Sequence, residues 1–234
     1  MSYYFRQLFD TASSTYTYIL GERETNTAIL IDPVRGHDEQ YKQLLADEGF
    51  SLRYLLETHV HADHITGASA LREATGAQTA ISRYCGASCA DIQLEGDEIL
   101  QFGNESIRVI ATPGHTRGSV AYLWRDRVFT GDALLIGGCG RTDFQGGDPG
   151  QLYDSITQKL FALPDDTLVY PAHDYNHRHV SSVAQERETN PRLAGKNRDE
   201  FIAIMNGLNL PQPRMIDQAV PANQHCGAEV PHAS

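Results

Sequence analysis

The spacing of apolar residues switches between two periods along this chain. "STYTYILG" and "NTAILIDP" are dense in β-branched and aromatic residues and stop at Gly21 and at Asp32-Pro33, which predicts two strands. "HDEQYKQLLADEG" instead brings Tyr41, Leu44 and Leu45 to helical spacing, with acidic residues early and Gly49 as its stop. "LRYLLETH" is the short continuous apolar run of a buried strand, "GASALREATGA" reads as a helix and "QTAIS" as another strand.

The middle of the chain is mostly strand-like. "ESIRVIATPG", "SVAYLWR" and "DRVFTGDALL" are separated by Gly, Pro or Asp-rich turns. "DPGQLYDSITQKLFALP" predicts a helix with Leu152, Ile156 and Leu160 on one face, and "DTLVYPAHDY" a strand ending in a histidine. "VSSVAQERETN" and "RDEFIAIMNGL" predict two more helices before a tail rich in Pro, Ala and Gln. Strands with helices between them, without repeats or low-complexity linkers, predict a layered α/β fold. We expect one domain over residues 1–234, with about 222–234 as a tail without fixed order.

The 234 residues are 41% hydrophobic and 21% charged, enough apolar material for a sizeable core. A formal charge of −11 excludes a general nucleic-acid binder, and an anionic substrate would need arginines clustered against the overall field. "MSYYFRQLFDTASS" lacks the basic start and apolar run of a signal peptide, and no window approaches the about 20 apolar residues of a membrane span. No membrane association is expected. Four cysteines are too few for a disulfide scaffold in a chain of this length. A reduced, cytoplasmic protein is the expectation; an organelle matrix is the alternative.

Chemistry concentrates where predicted strands end. "THVHADH" places His59, His61, Asp63 and His64 within six positions, and packing alone gives no reason for such a pattern. His115 in "ATPGHTRGS", Asp132 in "FTGDALL" and His173 in "YPAHDY" also follow strands, and strand ends at one sheet edge can line one pocket. Imidazole and carboxylate together suit Zn, Fe or Mn, and the lack of thiolates disfavours a soft-metal site.

H-x-H-x-D-H followed by His, Asp and His resembles the metallo-β-lactamase superfamily, which implies an αββα sandwich. In its two-metal hydrolases the resemblance implies one metal on His59, His61 and His115. A second would lie on Asp63, His64 and His173, with Asp132 bridging both. A narrower resemblance lies in "LLIGGCGRTDFQGGDPGQLYDSI", "YPAHDY", "ETNPRL" and "IMNGLNLPQPRMIDQAVPAN", which are similar to the persulfide dioxygenases, the ethylmalonic-encephalopathy-protein branch. That resemblance implies one Fe(II) per chain on His59, His115 and Asp132, a facial triad with the other three positions open. His61, Asp63, His64 and His173 would then orient the ligands.

The implied reaction is oxidation of glutathione persulfide by O2 to sulfite and glutathione, in sulfide catabolism, with no catalytic residue beyond the iron centre. By match to the branch, Arg141, Tyr175 and Arg192 are the expected glutathione contacts, with Asp143 and Met205 beside them. Guanidinium grips carboxylates bidentately, and Tyr175 lies two residues from His173, on the same side of a strand. Cys85 and Cys89, at C-x3-C spacing, read as ordinary thiols, Cys139 as a small packing residue and Cys226 as incidental to the tail. One rival is a two-metal glutathione thioester hydrolase of the glyoxalase II type. Another is a non-catalytic metal-binding or persulfide-sensing module. Monomer and homodimer remain equal expectations.

Overall fold

The computed structural model describes residues 3–228. Its strands form two six-stranded sheets. In the first, β1 (Tyr3–Asp10), β2 (Thr15–Glu22), β3 (Thr27–Ile31), β4 (Ser51–Leu56), β5 (Gln78–Ser82) and β6 (Ile92–Leu94) lie in chain order. β1, β2 and β3 pair antiparallel, and β3 to β6 pair parallel. Parallel neighbours need crossovers, which helices α1 (Asp38–Glu48) and α2 (Ala68–Thr75) supply on either side of β4. The second sheet runs β12 (Ser181–Ser182), β11 (Leu168–Pro171), β10 (Arg127–Gly131), β9 (Val120–Trp124), β8 (Glu105–Ala111), β7 (Ile99–Phe102).

The chain divides into two compact units. One holds residues 1–94, 100–106 and 212–234; the other holds 95–99 and 107–211. In the first, Ile19 and Leu30 of the sheet meet Leu55, Tyr41, Leu45 and Leu71. Every residue of β2 is buried, the polar Thr15, Thr17 and Glu22 included, so burial does not alternate along it. α1 stops at Gly49, which takes φ +73°, a left-handed conformation that glycine adopts without strain. In the second unit Ile110, Ala121, Val128 and Val169 of the sheet pack with Leu152, Ile156 and Leu160, and with Phe201 and Met205 of α5 (Arg198–Asn206).

Register fixes the site. Ile31 of β3 pairs with Leu56 of β4, so Asp32 and Glu57-Thr58 leave the sheet together at one edge. Asp32 takes φ +51° and its N–H donates to the Leu56 carbonyl at 2.9 Å.

Several expectations change. β1 was not legible as a strand. The helix from Asp148 is α3 (Pro149–Ser155) with Asp148 capping Gln151 N–H at 2.8 Å, then a wider turn over Ile156–Leu160. "VSSVAQERETN" begins as β12, and α4 (Val183–Thr189) starts only after Ser182, whose hydroxyl accepts from Gln185 N–H. A further helix, α6 (Ile216–Gln224), takes in the first residues of the expected tail, 222–224, and a turn follows through residue 227; the rest of that tail, 229–234, lies outside the described residues. Cys89 and Cys226 are joined by a disulfide of 2.04 Å, with their Cα atoms 6.0 Å apart, so Cys89 is not the ordinary thiol and Cys226 not the incidental residue expected from the sequence. The bond and the buried Asn223 anchor the tail, which is why its composition misled.

Candidate metal centre

In the first unit the histidines sit on the irregular segment between β4 and α2, and hydrogen bonds rather than secondary structure hold that segment. Asp32 accepts Thr58 N–H on Oδ1 at 2.7 Å and the Thr58 hydroxyl on Oδ2 at 2.8 Å. That hydroxyl has spent its only proton on Asp32, so its oxygen accepts Nδ1–H of His59 at 3.0 Å. The chain Asp32–Thr58–His59 therefore fixes the tautomer, and Nε2 becomes the lone-pair nitrogen that a metal needs.

His61 and His64 are buried beside it, with ring centroids 4.1 Å apart for His59–His61 and 4.3 Å for His61–His64. Nε2 of His61 lies 3.2 Å from Asp32 Oδ1 and 3.8 Å from Glu57 Oε2, and its Nδ1 lies 4.0 Å from Asp63 Oδ1. Burial opposes a charge on His61, but the carboxylates of Asp32, Asp63 and Glu57 lift its pKa to about 9. Glu57 is pushed up to about 8 by burial and by the charge of Asp32. Nδ1 of His64 meets Asp63 Oδ2 at 3.0 Å, and Thr15 reaches both residues.

Asn223 of α6 closes the far end of the segment. Its amide nitrogen donates to the carbonyls of His61 at 2.9 Å and His64 at 2.8 Å, and its oxygen accepts Thr66 N–H at 2.9 Å. A cavity of about 10 Å³ has Glu57, His59, Thr66, Asn223 and Cys226 among its lining residues.

The second unit places His115 after β8, Asp132 after β10 and His173 after β11. Nδ1 of His115 lies 2.6 Å from the Arg141 carbonyl, which only accepts, so the proton is on Nδ1 and Nε2 is the donor atom for a metal. That Nε2 lies 3.6 Å from Asp132 Oδ2, close to the spacing of adjacent ligands on one ion with bonds of about 2.1 Å. The other carboxylate oxygen, Oδ1, faces Nδ1 of His173 at 2.6 Å. The donor set in each unit fits a metal of the zinc or iron type.

Gly140 permits this packing. Its N–H donates to the Asp132 carbonyl at 2.7 Å, and a Cβ there would stand 2.5 Å from that oxygen and 2.7 Å from Nδ1 of His115.

The expected glutathione contacts all fall in this unit. Arg141 forms a bidentate pair with Asp143 at 2.7 Å on both arms and donates from Nη1 to the Pro211 carbonyl at 2.6 Å. Arg192 donates from Nη1 to the Cys139 carbonyl at 2.7 Å. Tyr175 is 68% exposed, its ring parallel to that of His173 at 6.2 Å. Met205 is buried, with its sulfur 3.7 Å from Cys139 Sγ and 3.8 Å from Arg192 Nη1. Cys139 is buried as expected, and burial raises its thiol pKa. Cys85 is a thiol that burial pushes up to about 12.

The sequence reading missed Asp32, Glu57, Thr58 and Asn223. Asp32 ends an apolar strand as the histidine run does, and that shared position was the available signal.

The metallo-beta-lactamase superfamily model matches residues 10–84 and 90–173. Over 231 residues the chain is 49% identical to the Homo sapiens protein "Persulfide dioxygenase ETHE1, mitochondrial", covering 97% of this chain and 90% of that protein. The crystal structure of ETHE1 from Myxococcus xanthus superposes with a TM-score of 0.95 at 55% identity, over 96% of this chain and 100% of that one. A hydroxyacylglutathione hydrolase of Anaeromyxobacter dehalogenans is 38% identical over 165 residues, 68% of this chain and 61% of that protein.

Proposed function

The chain belongs to the metallo-β-lactamase superfamily and to the branch of its persulfide dioxygenases, and from that premise we propose that it oxidises glutathione persulfide on one ferrous iron held by His59, His115 and Asp132. Each persulfide consumes one O2 and one water and gives glutathione and sulfite with two protons. The sulfur pair loses four electrons and O2 gains them, so no further reductant is needed.

One observation carries the single-iron reading: Asp132 accepts from His173 on Oδ1 while Oδ2 faces Nε2 of His115. A histidine that donates Nδ1–H to a carboxylate orients that carboxylate. His61 supports the same reading, since both of its ring nitrogens face carboxylates of its own unit. Ferrous iron bound by two imidazoles and a carboxylate supplies the redox chemistry that joins a soft persulfide sulfur to O2.

The chain's own residues set the geometry. Asp32 through Thr58 and the Arg141 carbonyl each hold one imidazole with Nε2 presented, and His173 holds the carboxylate. Arg192 and Tyr175 grip the glutathione moiety, whose two carboxylates find few cations on a chain of net charge −11. Arg141 contributes to the same grip, and Asp143, with which it pairs, and Met205, whose sulfur lies 3.8 Å from Arg192 Nη1, are weaker contacts. The enzyme works in the cytoplasm, or in an organelle matrix, as a monomer or homodimer.

Oxygen uptake by Fe(II)-loaded protein on addition of glutathione persulfide, with sulfite forming in step and one iron per chain, is the expected result. Iron-loaded protein that takes up no oxygen but hydrolyses a glutathione thioester with two metals overturns the reading in favour of the hydrolase.

A further inference from the structure

The segment that carries His59 lies between β4 and α2, and besides its bonds to the neighbouring strand ends it is held by a residue far along the chain. Asn223 is 4% exposed and engages three backbone groups at once. It holds the carbonyls of His61 and His64 and the N–H of Thr66, bracketing Asp63 on both sides. Both N–H bonds of its amide are used, and its oxygen is used as well.

The turn that follows lies along the same segment. Ser69 N–H donates to the Cys226 carbonyl at 3.1 Å, and a Cβ on Gly227 would stand 2.3 Å from the Thr66 carbonyl oxygen. At the other end, Asp32 binds Thr58. The segment is thus held by Asp32 at Thr58, by Thr15 at Asp63 and His64 and by Arg35 N–H at the Ile65 carbonyl, and Asn223 adds three bonds from far along the chain.

We propose that Asn223 is a positioning residue for the metal centre, setting the backbone of residues 61–66 so that His59 and the residues around it hold their ligand geometry. It touches neither substrate nor metal and acts through the carbonyls of His61 and His64. The inference rests on the reading of His59 as an iron ligand, and its test separates the two.

Asn223→Asp keeps the size and the oxygen that accepts from Thr66, but turns an oxygen toward two carbonyl oxygens. Leu45→Ala is the control, because it weakens the same unit's core without touching the segment. The measurements are Fe(II) affinity by competition with a chelator, the paramagnetic resonance spectrum of the ferrous nitrosyl adduct, and the melting temperature of metal-free protein.

Asn223→Asp is expected to weaken Fe(II) binding about tenfold or more and to broaden the nitrosyl spectrum, as loss of a group that orients a ligand does. Leu45→Ala should lower the melting temperature and leave affinity and spectrum unchanged. Wild-type affinity and spectrum in Asn223→Asp, or an equal loss of affinity in Leu45→Ala, overturns the role of Asn223 alone. Wild-type protein that binds no iron overturns the proposed function instead. Should Asn223→Asp fail to fold, amide exchange in the wild-type chain decides: slow exchange of Thr66 N–H is expected, and exchange at the rate of an open loop overturns the proposal.

Discussion

Nδ1 of His173 stands 2.6 Å from Oδ1 of Asp132, so the histidine steers the carboxylate rather than merely neighbouring it. His173→Ala should therefore leave the metal stoichiometry at one iron per chain while weakening its affinity about 10- to 100-fold. Elemental analysis of protein loaded at saturating iron checks this. A fall from two metals per chain to one would instead place His173 among the ligands.

Thr58 passes the orientation of Asp32 to His59 through one hydroxyl. Thr58→Val keeps the shape and removes the relay. Iron affinity should fall about 10- to 100-fold in this variant, with circular dichroism unchanged. Unaltered affinity would mean that the ring of His59 is held by packing alone.

Gly140→Ala forces a methyl group against the Asp132 carbonyl and the His115 ring. We expect loss of stable iron binding, together with a destabilisation of about 1–3 kcal/mol from overpacking. Urea denaturation with and without metal separates the two effects.

Reduction should weaken the fold. The Cys89–Cys226 bond spans 137 residues of sequence, and a cross-link closing so long a loop stabilises by about 2–4 kcal/mol. Urea denaturation with and without dithiothreitol measures the difference, and Cys226→Ser should remove it. Cys85→Ser should leave it intact, since that thiol is outside the bond.

Asp10 is one carboxylate through which acid should weaken the fold. Burial works to raise its pKa, but Ser13 donates from its N–H at 2.7 Å and its hydroxyl at 2.6 Å, and His37 faces it at 3.0 Å. Together they hold it at about 2 against an ordinary 3.8. A lowered carboxylate contributes stability above its unfolded-state value, and that contribution is lost as pH falls through about 2. Asp10→Asn should flatten the fall in stability of metal-free protein between about pH 4 and pH 2. An unchanged slope in acid titration of the variant would assign the effect elsewhere.

The sequence was most legible where chemistry and local pattern coincide. β4 is a short apolar run that ends in the histidine segment, so both its burial and its role at a sheet edge show in consecutive residues. The positions of His115, Asp132 and His173 were read the same way, each just past a strand. Asn223 was illegible because its partners lie 157 to 162 residues away and leave no periodic trace. The helix that carries it contains Pro221, which hides its pattern. The disulfide failed for the same reason, since Cys89 pairs with a residue that no local spacing selects. β1 was missed because all eight of its residues are half-buried or exposed, without the clean alternation of a strand with one dry face.

The first unit takes in residues far along the chain, Asn223 and Cys226 among them, and this bears on order in time. Synthesis delivers His59 long before Asn223, so the segment waits on a long-range contact whose loop-closure entropy makes it slow to form. If Asn223 positions the segment as proposed, competence to take up metal arrives after α6 docks, as a late kinetic event in maturation. Nascent chains stalled before α6 should carry a formed second unit while binding iron weakly, and so release it to competing chelators.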